Sequence, residues 1–190
     1  MQRAAVAGLA ALLACALLAA ACGGEAPTPE QAPVAPEKLV REGSHEIAVL
    51  ALEGLGTIRI ELLPELAPES VAHFKKLVEE GLYDGTDGRG GTNYDITDEF
   101  SDMPHTRGVV SLANKGRHHT AGSQFFIVQQ DTPQLDGMFT VFARVVEGIA
   151  VVDAVTELEI DKYGRYGPTD RPYPKDARIT SIRIEPAEPS

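Results

Sequence analysis

The chain has 190 residues, 43% of them hydrophobic, with a formal net charge of −11 and a pI near 4.9. That length holds one domain of ~100–200 residues plus an appendage, and the acidic balance argues against nucleic acid, whose partners carry a basic footprint. Both cysteines, Cys15 and Cys22, lie in the first 22 residues, so the rest has neither a disulfide nor a thiolate metal site and must fold by packing alone.

Arg3 supplies a short positive region, Ala4 to Ala21 is uninterrupted apolar or small, and Ala19, Ala20 and Ala21 precede Cys22: the pattern of an export signal. Leu18-Ala19-Ala20-Ala21-Cys22 with Gly23-Gly24 resembles a bacterial lipobox, although Leu is more frequent where Ala19 stands. Cys22 is therefore the expected lipidated residue. An ordinary cleaved signal peptide and an uncleaved membrane helix compete with this reading, and for the helix the run sits at the ~18-residue lower limit. Cys15, behind Leu12-Leu13-Ala14, leaves too short an apolar run. Gly23 to Glu37 then carries Pro27, Pro29, Pro33 and Pro36, a composition that buries no core and suits a tether. The expected location is the bacterial cell envelope, lipid-anchored, and Gly23 behind Cys22 suits the outer membrane where a host has two.

From His45 the residues alternate as a strand does, with Ile47, Val49 and Ala51 on one side. Glu53-Gly54 reads as a turn and Gly56 to Leu62 as the second strand of a β-hairpin. A helix follows, with Pro68 in its first turn, Glu69 where the dipole favours an anion, Val71, Phe74, Leu77 and Val78 along one face, and Gly81 just past its end. Gly108–Leu112, Gln124–Gln129 and Phe139–Val146 read as short buried strands, Gly148–Glu157 as a helix, and Arg178–Ile184 as a final strand. Many short strands with two helices predict a mainly β fold, a barrel or sandwich capped by helices.

Ala121-Gly122-Ser123-Gln124-Phe125-Phe126-Ile127 is preceded by Arg107-Gly108-Val109-Val110-Ser111-Leu112-Ala113-Asn114 and followed by Leu135-Asp136-Gly137-Met138-Phe139-Thr140-Val141-Phe142. In order and spacing these resemble the second half of a cyclophilin. Gly81-Leu82-Tyr83-Asp84-Gly85-Thr86 and Ala67-Pro68-Glu69-Ser70-Val71 resemble its first half. The resemblance runs from about His45 to Ile184. It implies a cyclophilin-like antiparallel β-barrel capped by helices, and peptidyl-prolyl cis-trans isomerase activity on exported polypeptides. The expected divisions are 1–21 signal peptide, 22–44 lipidated cysteine and tether, 45–186 cyclophilin-like domain and 187–190 tail.

An X-Pro bond isomerises over ~18–20 kcal/mol because resonance holds the amide planar, so a catalyst must grip a twisted amide and aim a donor at the prolyl nitrogen. By resemblance, Phe126, Leu135 and Phe139 line the proline slot, Ala113 and Asn114 grip the peptide through backbone groups, and Gln124 hydrogen-bonds it. Taken without the resemblance, the same apolar residues read as ordinary core packing.

The departure from the family pattern lies after Thr86. A cyclophilin continues there with Phe-His-Arg and a Phe-Met-Ile-Gln-Gly-Gly-Asp run before a Gly-rich loop, whereas here Asp87-Gly88-Arg89-Gly90-Gly91 follows at once. Two strands of the barrel, the catalytic arginine, a glutamine and two apolar pocket residues are thus expected to be missing, and the catalytic group is unknown. Arg107 and Arg144 belong to segments matched elsewhere, and Arg89 and Arg117 sit on glycine-flanked loops. Reduced or absent turnover follows, and the alternatives are a membrane-anchored, non-catalytic proline-peptide binder or holdase, or a damaged protein with exposed strand edges. The histidines show no metal-ligand spacing, so neither metal nor cofactor is expected. The expected partners are proline-containing polypeptides and, through the lipid, a membrane, for a monomeric chain.

Overall fold

The computed structural model describes residues 45–86, 91–160, 162–163 and 177–186. The export signal, Cys22, the tether, Arg89 and the tail at 187–190 lie outside the described residues.

The hairpin forms as β1 (Ile47–Leu52) and β2 (Gly56–Leu62), paired from Ile47 with Glu61 to Leu52 with Gly56. Ala48 and Leu50 point into the core, and Ile47, Val49 and Ala51 share the other, half-covered side. The helix α1 (Pro68–Glu79) turns Val71, Phe74 and Leu77 inward. It ends because Gly81 takes φ +69°, which lets the N–H of Leu82 bond the carbonyl of Leu77 and that of Gly81 the carbonyl of Val78. Phe74, fully buried, meets the rings of Tyr83, Phe125 and Phe142 at 5.5, 5.8 and 5.1 Å.

The remaining strands are β3 (Val109–Leu112), β4 (Phe125–Ile127), β5 (Val141–Glu147) and β6 (Ile179–Glu185), with α2 (Ile149–Thr156) between the last two. Gly148, ahead of α2, has φ +85°, and a Cβ there would stand 2.3 Å from the Thr57 carbonyl oxygen, so only glycine fits. Among the described residues the six strands form one antiparallel, curled sheet, a half-barrel, in the order β4-β3-β5-β2-β1-β6. The mainly β expectation holds. β4 differs in detail: it has three residues, all half-buried, because as an outermost strand it pairs with β3 alone.

The backbone on either side of residues 87–90 pairs in β fashion by single bridges. Thr86 pairs with Ile179 at the start of β6, and Ile96 with Ala121 ahead of β4. The larger apolar cluster joins α1 to the sheet, and a second one gathers Leu63, Met103, Val109, Val128 and Val141 with Phe126 against it.

Candidate active site

Phe126 comes from β4, Leu135 from a 3-10 helix (Pro133–Leu135), and Phe139 from the loop before β5. All three are half-buried, unlike the fully covered Phe74 and Phe142. The rings of Phe126 and Phe139 meet edge to face at 5.3 Å and 87°. Behind them lies His105, only 1% exposed, stacked on Phe126 at 6.2 Å and edge-on to Phe139 at 6.4 Å.

Buried polar groups need partners, and His105 has one on each ring nitrogen. Asp136 Oδ1 accepts from Nδ1–H at 2.9 Å and also from the backbone N–H of His105 at 2.7 Å. In the neutral imidazole, Nε2 then accepts from the hydroxyl of Ser111, which lies 3.0 Å away and is itself fully buried. The aromatic pair therefore rests on a ring that cannot turn without breaking hydrogen bonds. Nothing local in the sequence announced this: His105 is six residues from Ser111 and thirty-one from Asp136.

Ala113 and Asn114, just past β3, and Gln124, just ahead of β4, border one cleft of about 310 Å³, with Thr92, Lys115 and Ser123 among its other walls. The N–H of Ala113 bonds the Gln124 carbonyl at 2.8 Å and is thereby committed within the domain. Asn114 ties loops together, its amide donating to the Met138 carbonyl and its oxygen accepting from the N–H of Gly116, both at 3.0 Å. Gln124 and Phe126, two residues apart on extended chain, share a side, which puts the cleft next to the aromatic pair. Of the predicted site residues, Ala113, Asn114 and Gln124 thus border one cleft, Phe126 and Phe139 form one ring pair, and Leu135 closes the 3-10 helix before Phe139.

The far wall of the cleft is fastened from behind. Tyr83 donates its hydroxyl to the Ser123 carbonyl at 2.8 Å, and His73 Nε2–H donates to the Gly122 carbonyl at 3.2 Å. Burial, the largest influence, holds the His73 imidazole below its ordinary value of 6.5 despite the opposing hydrogen bond to Gly122. Neutral His73 is thus the form that fits.

Two arginines are committed elsewhere. Arg107 forms a two-pronged pair with Asp153 at 2.9 and 2.6 Å, and Arg144 bonds Glu61 at 2.6 Å. Arg117 is exposed on the loop leading to Thr120. His118 and His119 are exposed around the carboxylate of Asp98, and among the described residues no three His, Cys, Asp or Glu side chains are placed to hold a metal. No described helix is long and apolar enough to cross a membrane.

Comparison with known proteins bears on the family and the fold. The chain is 37% identical over 130 residues to a probable peptidyl-prolyl cis-trans isomerase of Brucella suis, which covers 53% of this chain and 66% of that protein. It is 41% identical over 118 residues to peptidyl-prolyl cis-trans isomerase B of Bacillus subtilis, covering 52% of this chain and 82% of the relative. Its fold is similar to that of a Cryptosporidium parvum cyclophilin type peptidyl-prolyl cis-trans isomerase crystallised in the presence of the dipeptide Ala-Pro, at TM-score 0.65 and 23% identity, covering 73% of this chain and 98% of that one. Residues 47–184, more than half of the chain, match the family model described as cyclophilin type peptidyl-prolyl cis-trans isomerase/CLD, and the chain belongs to that family.

Proposed function

We propose that the domain binds proline-containing polypeptides across the Ala113–Gln124–Phe126–Phe139 surface and, as a peptidyl-prolyl isomerase of exported chains, turns them over slowly. The observation that carries this is the half-exposed Phe126–Phe139 pair, held from beneath by His105 and bordered by a polar cleft. An apolar slot next to convergent polar groups suits a proline ring with flanking peptide. The relative crystallised with Ala-Pro supports the ligand class.

Low turnover rests on the step from Thr86 to the Gly-rich loop. The 118 positions aligned with the Bacillus subtilis protein draw on 52% of this chain, about 99 residues, which leaves about 19 positions of the alignment without a residue here. That gap is large enough for the missing arginine segment and its two strands at ~5–6 residues each. The same observation favours a second reading, a non-catalytic proline-peptide binder or holdase. Titrating an Ala-Pro peptide tests the binding both readings share: the amide signals of Ala113, Asn114, Gln124 and Phe126 should shift together, and a titration that moves none of them refutes it. A protease-coupled isomerisation assay then separates slow enzyme from binder.

Export and anchoring belong to the same proposal, as does a monomeric state. Export and anchoring are supported by the apolar run before Cys22 and the proline-rich stretch after it. Mass spectrometry of the native protein should find a lipid-modified peptide beginning at Cys22, and an unmodified peptide running through Cys22 refutes it.

A further inference from the structure

Resting on that reading of the site, we infer that the loop 115–119 is its specificity rim, selecting proline-containing segments that carry Asp or Glu beside the proline. In a chain of net charge −11, the run Lys115-Gly116-Arg117-His118-His119 holds two fixed cations, two histidines and no acid. Lys115 also lines the cleft, together with Ala113, Asn114 and Gln124. The basic loop and the peptide site are therefore contiguous.

The charges here are sorted by depth. Among the described residues two carboxylates pair with this loop, and both lie inward of its cations. The Asp98 side chain is only 2% exposed; its Oδ2 accepts from the backbone N–H of His119 at 2.7 Å and lies 3.3 Å from His118 Nδ1. Asp95, 31% exposed, accepts one of the three ammonium protons of Lys115 at 2.5 Å. The Lys115 side chain is 62% exposed, and Arg117, His118 and His119 are exposed beside it. A ligand arriving from solvent thus meets cations first, with the carboxylates behind them.

The loop backbone is also set in advance. The Thr120 hydroxyl accepts from the N–H of Lys115 at 2.9 Å and donates to the Arg117 carbonyl at 2.6 Å, while the N–H of Asp98 donates to His119 Nδ1 at 3.1 Å. With Nδ1 accepting, the neutral His119 ring carries its proton on Nε2, a further donor for an acidic group. A rim ordered before the peptide arrives loses less freedom on binding. Range decides between this local charge and the overall negative one. At ~0.1 M salt, acids more than ~10 Å from the ligand are largely screened, whereas a contact with Lys115 or Arg117 is short enough to survive.

The test titrates the full chain at ~0.1 M salt with three peptides that share an Ala-Pro core and carry Glu, Gln or Lys on both sides of it. The Glu peptide should bind about three- to tenfold more tightly than the Gln peptide, as one or two exposed ion pairs allow, and the Lys peptide most weakly. In the double variant Lys115→Gln, Arg117→Gln the Glu preference should vanish. Asp95→Asn, which releases the Lys115 ammonium to the ligand, should widen it. Raising the salt to ~1 M should shrink it in the unaltered chain, an arm that needs no variant to fold. Equal affinity for the Glu and Gln peptides overturns the inference while leaving the site reading intact, and so does a Glu preference that the double variant retains or that Asp95→Asn narrows. Failure of all three peptides to bind overturns both readings.

Discussion

The imidazole of His105 lies nearly parallel to the ring of Phe126, 17° between planes, while its two nitrogens are held by Asp136 and Ser111. A buried polar residue thus sets the position of an apolar surface. Replacing His105 by Leu keeps the bulk but strands the Ser111 hydroxyl, a loss of about 1–3 kcal/mol. We expect a lower melting temperature together with weaker binding of an Ala-Pro peptide. Ser111→Ala leaves the imidazole held by Asp136 and should weaken binding less. Equal peptide affinity in His105→Leu and the parent protein would show that the ring does not position the slot.

Helix α1 offers a second case of long-range support. Ala67 precedes it and has no side chain able to cap, so Glu99 does the work from thirty residues away, accepting from the N–H groups of Glu69 at 3.1 Å and Ser70 at 2.7 Å. The N–H of Glu99 in turn bonds the Thr140 hydroxyl at 2.9 Å, joining the helix to the residue after Phe139. Glu99→Ala should cost about 0.5–2 kcal/mol, as lost N-caps do. Chemical denaturation should show it as a lower midpoint with an unchanged slope.

Most of the fold was legible because its signals are local. Pro68 and Gly81 bracket α1, Gly54 marks the hairpin turn, and apolar runs mark β3 and β5 within one or two residues. The six site residues were reachable only through resemblance, since half-buried Phe126 and Phe139 carry the same sequence signal as fully buried Phe142. What sequence could not supply were contacts made across distance: Glu99 on α1, His105 between Ser111 and Asp136, and His73 and Tyr83 behind Gly122 and Ser123. None of these pairs shares a periodic spacing.

Acid should loosen the cleft before it unfolds the hairpin. His73 has a folded-state value below 6.5, so the stability it contributes is present above 6.5 and is lost as pH falls through the lower folded value. For Glu61, burial alone would raise the carboxyl, but hydrogen bonds from Arg144 and His45 outweigh it and hold the group below 4.5. Its contribution is present above 4.5 and is lost only in stronger acid. Denaturation at pH 7.5, 6 and 5 should therefore show declining stability that His73→Gln, which keeps an N–H donor for Gly122, flattens. A decline of the same steepness in the variant would assign the effect to other groups.

Turnover is the sharpest test of the family reading. An isomerase lowers its barrier only by contacts stronger in the twisted amide than in the planar one. In the proposed function a slot of Phe126, Leu135 and Phe139 would hold a proline ring alike in both, and so would bind without accelerating. The donor that discriminates must be preorganised, and losing one of that kind typically costs ~10²–10³-fold in rate, or ~2.7–4 kcal/mol. Arg107 and Arg144 are tied to Asp153 and Glu61, and freeing either would strand its carboxylate partner. We therefore expect kcat/KM on an Ala-Pro peptide at least ~10²-fold below that of an intact relative. Inserting the relative's segment between Thr86 and Asp87 should recover much of the difference, because Thr86 already bridges β6 and Ile96 already bridges Ala121, leaving the two ends where added strands would start and finish. Near-normal activity in the unaltered protein would overturn the prediction and point to Arg89 or Arg117, which single alanine replacements would then tell apart.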